Sequence, residues 1–189
     1  MNNIISELTT RRARRALSEQ AIDKDVLDRI MNAAVLAPSC ANKQPWRFMV
    51  CTEGGNIADA REALLGGNYW AKKAPVLITV MTSDELDCNL NDERHYAQFD
   101  TGMAVMALMM QATKEGLIAH PMAGFEPSTL REKFSIGEET RIITMIALGH
   151  PGPSDHLNEK HLDSETSDRS RKALDEVVSW ESWNGLGNN

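Results

Sequence analysis

Two rhythms of apolar residues run along this chain. Leu27, Ile30, Met31 and Ala34 recur at helical spacing, which predicts one buried helix face. Asp23 or Asp25 is placed to cap that helix, and Pro38 stops it at Ala37. Strand patterns follow at 46–52, at 75–82 and at 141–148. The run at 75–82 is apolar without alternation, as expected of a strand buried on both faces. Residues 117–125 contain Pro121 and Gly124, so they predict an irregular segment or an edge strand.

Helices are also expected at the N-terminus within residues 1–8, at 57–65, from about 92 to 115, and from a Ser128 cap to Phe134. Gly66-Gly67 and Gly116 are the expected left-handed stops. In the longest helix Phe99, Met103, Met106 and Met110 mark one face, yet Val105, Leu108 and Met109 are apolar too. A helix apolar on most sides is central to a fold or lies at a subunit interface. Residues 83–94 are polar and predict a loop or lid, 154–168 a solvated loop holding His156 and His161, and 181–189 a flexible tail. With about three long strands and five or six helices, the pattern predicts an α+β class with too few strands to complete a sheet alone. No repeat or linker divides residues 1–189, so one domain is expected.

Composition narrows the function. The chain is 42% apolar and 25% charged, ordinary for a soluble globular protein. A net charge of −7 weighs against general affinity for nucleic acid or membranes. No apolar run approaches the roughly 20 residues of a bilayer span, and no cleavable signal follows Met1-Asn2-Asn3. Cys40, Cys51 and Cys88 are odd in number and have no metal-like spacing, so reduced thiols in a cytoplasm are expected. The ten methionines predict an adaptable core, with a few as candidate pocket walls.

Two stretches carry candidate chemistry. Arg11, Arg12, Arg14 and Arg15 crowd together in an acidic chain. Guanidinium groups hold phosphate through forked, charge-assisted bonds, although a solvated patch or a nucleic-acid arm would look the same. The second stretch runs from Pro38 to Phe48, with Ser39, Cys40, Asn42 and Gln44 between two prolines. Its amides carry both donors and acceptors, which suits a flat heterocycle; an ordinary polar turn is the plain alternative. Thiol catalysis at Cys40 would need a histidine base, and none lies nearby in sequence.

Taken together, Arg11-Arg12-Ala13-Arg14-Arg15 and Pro38-Ser39-Cys40-Ala41-Asn42-Lys43-Gln44-Pro45-Trp46-Arg47-Phe48 resemble the nitroreductase family of flavin enzymes. Ala74-Pro75, Asp100-Thr101-Gly102, Glu115-Gly116-Leu117, Gly124-Phe125 and Leu148-Gly149-His150-Pro151 extend the resemblance over nearly the whole chain. It implies a mostly antiparallel central sheet flanked by helices, and a homodimer with FMN at sites between subunits. It also implies a C-terminal segment exchanged with the partner.

By the same resemblance, Arg11, Arg12 and Ala13 hold the FMN phosphate, ribityl chain and ring edge, and Arg15 is a basic residue at the ring. Pro38, Ser39, Cys40 and Asn42 approach the flavin from the other subunit. Pro121, Ala123 and Gly124 lie beside the ring, Asn68 near it, and Arg169 and Arg171 at the phosphate. The implied activity is alternating hydride transfer from NADH or NADPH, through FMN, to a nitroaromatic, quinone or enone-type acceptor. No side-chain nucleophile is needed, so no catalytic residue is named. The alternative within the fold is a flavin reductase, or another enzyme using FMN as a substrate. Three departures stand out: Ala13 where serine is common, Met106-Ala107 in place of a frequent Gln-Asn, and Ala123 where some members have glutamate.

Overall fold

The computed structural model describes residues 3–88, 90–92, 94–183 and 185. Its frame is a four-stranded antiparallel sheet in the order β1-β2-β4-β3. The strands are β1 (Arg47–Thr52), β2 (Val76–Ser83), β3 (Ile118–Met122) and β4 (Thr140–Gly149). Strand β3 is the segment expected to be either irregular or an edge. It is an edge: Pro121 pairs with Ile146, and among the described residues β3 has only β4 beside it. That position tolerates a residue with no N–H to donate. One extra residue of β4, Ile143, bulges where Val80 pairs with Thr144 and Met81 with Ile142.

Period-two alternation divides the interior into two cores. Val76, Ile78 and Val80 of β2, with Ile146 and Leu148 of β4, face one side. There they meet α2 (Lys24–Val35) through Leu27, Ile30 and Ala34, and α4 (Ala97–Lys114) through Val105, Leu108 and Ala112. Leu77, Met145 and Ala147 face the other side, against α3 (Ile57–Glu62), α5 (Pro127–Phe134) and the buried Trp70. Each large aliphatic side chain fully buried in this way contributes about 1.5–3 kcal/mol. This explains the uninterrupted apolar run of β2.

Several boundaries differ from the sequence expectation. The N-terminal helix is α1 (Ser6–Thr10), with no buried residue. The long helix begins at Ala97 rather than near Asp92. Its buried face is Ala97, Asp100, Thr101, Ala104, Val105, Leu108 and Ala112, which leaves Phe99 exposed and Met103, Met106 and Met110 only half-buried. Gly116 ends it at φ +76°, in the left-handed region. Gly66 and Gly67 are not left-handed; they open a 3-10 segment, Gly66–Lys73, that carries Tyr69 and Trp70 inward. α5 is capped by the Glu126 carboxylate, which accepts from the Ser128 N–H at 3.3 Å, rather than by Ser128.

Residues 154–168 are not simply a loop. They form α6 (Glu159–Thr166), where His161 stacks on Tyr69 at 5.5 Å between ring centroids. His156 is half-buried, and among the described residues neither of its ring nitrogens has a hydrogen-bond partner. A last helix, α7 (Leu174–Val177), leads to Trp180 and Trp183, 74% and 73% exposed. Of the expected tail, Asn184 and residues 186–189 lie outside the described residues.

The thiols depart from expectation as well. Cys40 and Cys88 form a disulfide, with Cα atoms 6.0 Å apart, and among the cysteines only Cys51 is free. The two sulfurs belong to segments 48 residues apart in sequence, so their meeting is a product of tertiary structure.

Candidate flavin site

The arginine segment is extended and held by backbone bonds at the end of β4. Ser18 donates to the His150 carbonyl at 2.9 Å, and Gly152 donates to the Ala16 carbonyl at 2.8 Å. A side chain at Gly152 would place its Cβ 2.5 Å from the Ser18 nitrogen, so this approach requires glycine. Arg14 turns away to pair with the buried Glu165 of α6, whose other oxygen accepts from the Arg15 N–H at 2.7 Å. From the far end of the chain, Arg169 donates to the carbonyls of Leu8 (3.0 Å) and Arg11.

These constraints bring two distant basic stretches to one place. A cavity of about 270 Å³ is lined by Arg11, Arg12, Ala13, Arg15, Ser164, Asp168, Arg169, Ser170 and Arg171. Arg14 is not among its walls. Five arginines and one acidic residue, Asp168, are therefore among its walls. The Arg11 guanidinium is pushed below its usual pKa by burial first, then by Arg169, Arg171 and Arg12. Such uncompensated charge favours an anion able to accept several forked hydrogen bonds.

Arg15 links this cavity to a second group of site residues. Its guanidinium lies over the Trp70 ring, 5.8 Å from the centroid. Trp70 packs against His120 at 4.5 Å, and the His120 Nδ1 bonds the Arg14 carbonyl at 3.0 Å. Burial drives His120 down to about pKa 4, with the nearby cations Arg15 and Arg11 adding to the effect. Pro121, Ala123 and Gly124 lie just beyond His120 in sequence. Asn68 joins them: its Nδ2 donates to the Gly124 carbonyl at 2.8 Å. The same carbonyl accepts from the Leu65 N–H at 3.1 Å.

The loop residues Pro38, Ser39 and Cys40 stand elsewhere. They line a cavity of about 530 Å³ with Leu90, Arg94, Tyr96, Phe99, Asp100 and Met103, and it shares no wall residue with the basic one. Within this chain the two sets of predicted residues are therefore not brought together. Asn42 is not a wall of either cavity. The loop is tightly determined: Ala41, Asn42 and Gln44 all have φ near +50°. Such backbone persists only where the surroundings hold it. Here the Ser39 Oγ accepts from the Gln44 N–H at 2.9 Å, and the buried Asp100 accepts from the Cys40 N–H at 3.0 Å.

Sequence reasoning missed Glu165, Trp70, His120 and Asp100 as supports of these sites. Asp100 had a signal, being the acid in the first turn of a largely apolar helix. Glu165 and His120 had none, because their partners are far away in sequence.

Comparison with known proteins agrees with this architecture. The nitroreductase family profile matches residues 8–68 and 55–150. A 15.4 kDa protein of Mycolicibacterium smegmatis is 34% identical over 148 residues, covering 72% of this chain and 97% of that one. An NADH dehydrogenase of Thermus thermophilus is 26% identical, covering 75% of this chain and 83% of its own. A crystal structure described as an oxidoreductase containing FMN superposes with a TM-score of 0.87 at 28% identity, over 98% of this chain and 96% of that one. The chain belongs to the nitroreductase family, within the superfamily of FMN-dependent NAD(P)H oxidoreductases.

Proposed function

We propose that the protein is a cytoplasmic, homodimeric oxidoreductase of one domain, residues 1–189, that carries hydride from NADH or NADPH to nitroaromatic, quinone or enone-type acceptors. The observation that carries this reading is the cavity walled by Arg11, Arg12, Arg15, Arg169 and Arg171 with one acidic residue, Asp168. An FMN phosphate, close to doubly charged at neutral pH, supplies the anion these residues lack. When bound, FMN provides the ring that accepts hydride and passes it on.

The chain's own residues then bind and orient. Arg11, Arg12, Arg169 and Arg171 neutralise the phosphate, with the Ala13 main chain beside them. Arg15, held over Trp70, keeps a positive charge near the ring, where it favours the reduced, anionic form. Pro121, Ala123 and Gly124 present backbone groups to the ring. Asn68 fixes the Gly124 carbonyl. Pro38, Ser39, Cys40 and Asn42 complete the partner's site, consistent with their separation from the basic cavity within one chain. The half-buried methionines of α4 and the exposed Leu174, Val177, Trp180 and Trp183 offer apolar surface for that partner.

Titrating the protein with FMN and with riboflavin tests the reading. FMN should bind more tightly, and its advantage should shrink as salt screens the arginines. Equal affinities at low salt would remove the phosphate assignment. FMN that binds but is lost during turnover would favour the flavin-reductase alternative.

A further inference from the structure

We propose that Tyr69 is a positioning residue: through Asn158 and His161 it holds α6, and with it the Ser164 and Asp168 wall, against the arginines of the smaller cavity. The ligand named for that cavity, an FMN phosphate, rests on the function proposed above.

Three consecutive residues of the 3-10 segment address three parts of the site. Asn68 donates to the Gly124 carbonyl, and the buried Trp70 lies under Arg15. Tyr69, between them, turns to α6. Its hydroxyl accepts from the Asn158 N–H at 2.7 Å and lies 3.2 Å from the His161 Nδ1, and its ring stacks on the imidazole. The phenol has one proton to give, and a neutral imidazole can accept it at Nδ1. Burial first, then Arg15 and Lys160, lower the His161 pKa and so favour that neutral ring. Asn158 is also the N-cap of α6, its side chain accepting from the His161 N–H at 2.9 Å. One hydroxyl thus grips both the cap and the first turn of the helix.

Such ties matter because α6 buries little. Among the described residues its one buried side chain is Glu165, and Leu162 is exposed. The arginine segment itself holds the far end. The Glu165 carboxylate accepts from the Arg15 N–H, and the Ser167 carbonyl accepts from the Arg12 Nη2 at 2.6 Å. Ser164 and, just past the helix, Asp168 are walls of the basic cavity, whereas Tyr69, Asn158 and His161 are not. The Tyr69 hydroxyl therefore reaches the cavity through α6 rather than by touching the anion.

The experiment uses two variants of the full chain. Tyr69→Phe removes the hydroxyl and keeps the ring; His161→Phe keeps a stacking ring and removes Nδ1. Hydrogen exchange of the cofactor-free proteins reads residues 159–166, with β2 and β4 as internal controls. Titration with FMN, riboflavin and inorganic phosphate reads the cavity.

In both variants exchange at 159–166 should speed up while β2 and β4 stay unchanged. FMN and inorganic phosphate should bind about fivefold more weakly or worse, the lower end of ordinary coupling between sites, while riboflavin affinity holds. The double variant should lose little more than either single one, because both remove the same tie. By reciprocity, FMN should slow exchange at 159–166 in the parent. Unchanged exchange in α6 would overturn the proposal. Equal loss of FMN and riboflavin affinity would overturn it too, since general loosening gives that result. A parent that binds FMN no better than riboflavin would end the phosphate reading, while exchange in the cofactor-free variants still decides whether Tyr69 holds α6.

Discussion

The backbone N–H of Arg15 donates to the Glu165 carboxylate at 2.7 Å, and that carboxylate also pairs with Arg14 at 3.6 Å. One buried acid on α6 thus sorts the arginines, drawing one away and fixing the backbone of the next. Glu165→Ala should destabilise the cofactor-free protein by about 1–3 kcal/mol, the usual cost of unsatisfied buried groups. It should also weaken FMN binding by displacing Arg15. Urea unfolding and flavin titration on the same variant check both, and unchanged values in each would mean that Glu165 supports neither.

Arg11 behaves differently, because burial first, and then its cationic neighbours, disfavour its charge. Arg11→Ala should weaken FMN binding by about 1–3 kcal/mol, and Arg171→Ala similarly. Without cofactor, Arg11→Ala should stay within about 0.5 kcal/mol of the parent or exceed it. Binding loss accompanied by equal loss of cofactor-free stability would instead identify Arg11 as a structural residue.

Much of this site was legible in the sequence as charge. Four arginines within five residues need an anion or solvent, wherever the fold puts them. Strand β2 was legible because burial on both faces leaves a continuous apolar, β-branched run, and β4 because branched and other apolar residues alternate along it. The turn at Gly66-Gly67 was misread because glycine permits left-handed backbone without requiring it, and Trp70 instead pulls the chain inward. The Glu126 cap was hidden by an equally good candidate two residues later. The Cys40–Cys88 bond was illegible for a simpler reason: its partners meet only through space, from ends of different elements.

His120 gives a pH signature. Burial lowers its pKa to about 4 from an ordinary 6.5. Between those values the unfolded chain binds more protons than the folded one, so stability rises with pH. The full contribution is present above about pH 6.5 and is lost as pH falls toward 4, by up to ~3 kcal/mol. Urea midpoints measured from pH 7 to 4.5 should fall more steeply for the parent than for His120→Phe. Parallel curves would show that His120 takes up its proton without cost in the folded state.

The exposed Trp180 and Trp183 bear on assembly. If they seat on a second copy, light scattering should give the mass of two 21.0 kDa chains. Deleting residues 174–189 should lower that mass and reduce retained FMN together. A monomer that binds FMN as tightly as the full-length protein would refute a site shared between subunits.

The most direct measurement is the visible spectrum of the protein purified without added cofactor, before and after anaerobic NADH or NADPH. The account predicts a flavin spectrum that survives gel filtration, bleaches on adding the nicotinamide, and returns when a nitroaromatic acceptor is supplied. A colourless protein that ignores added FMN would contradict it, leaving the arginine cavity to some other anion.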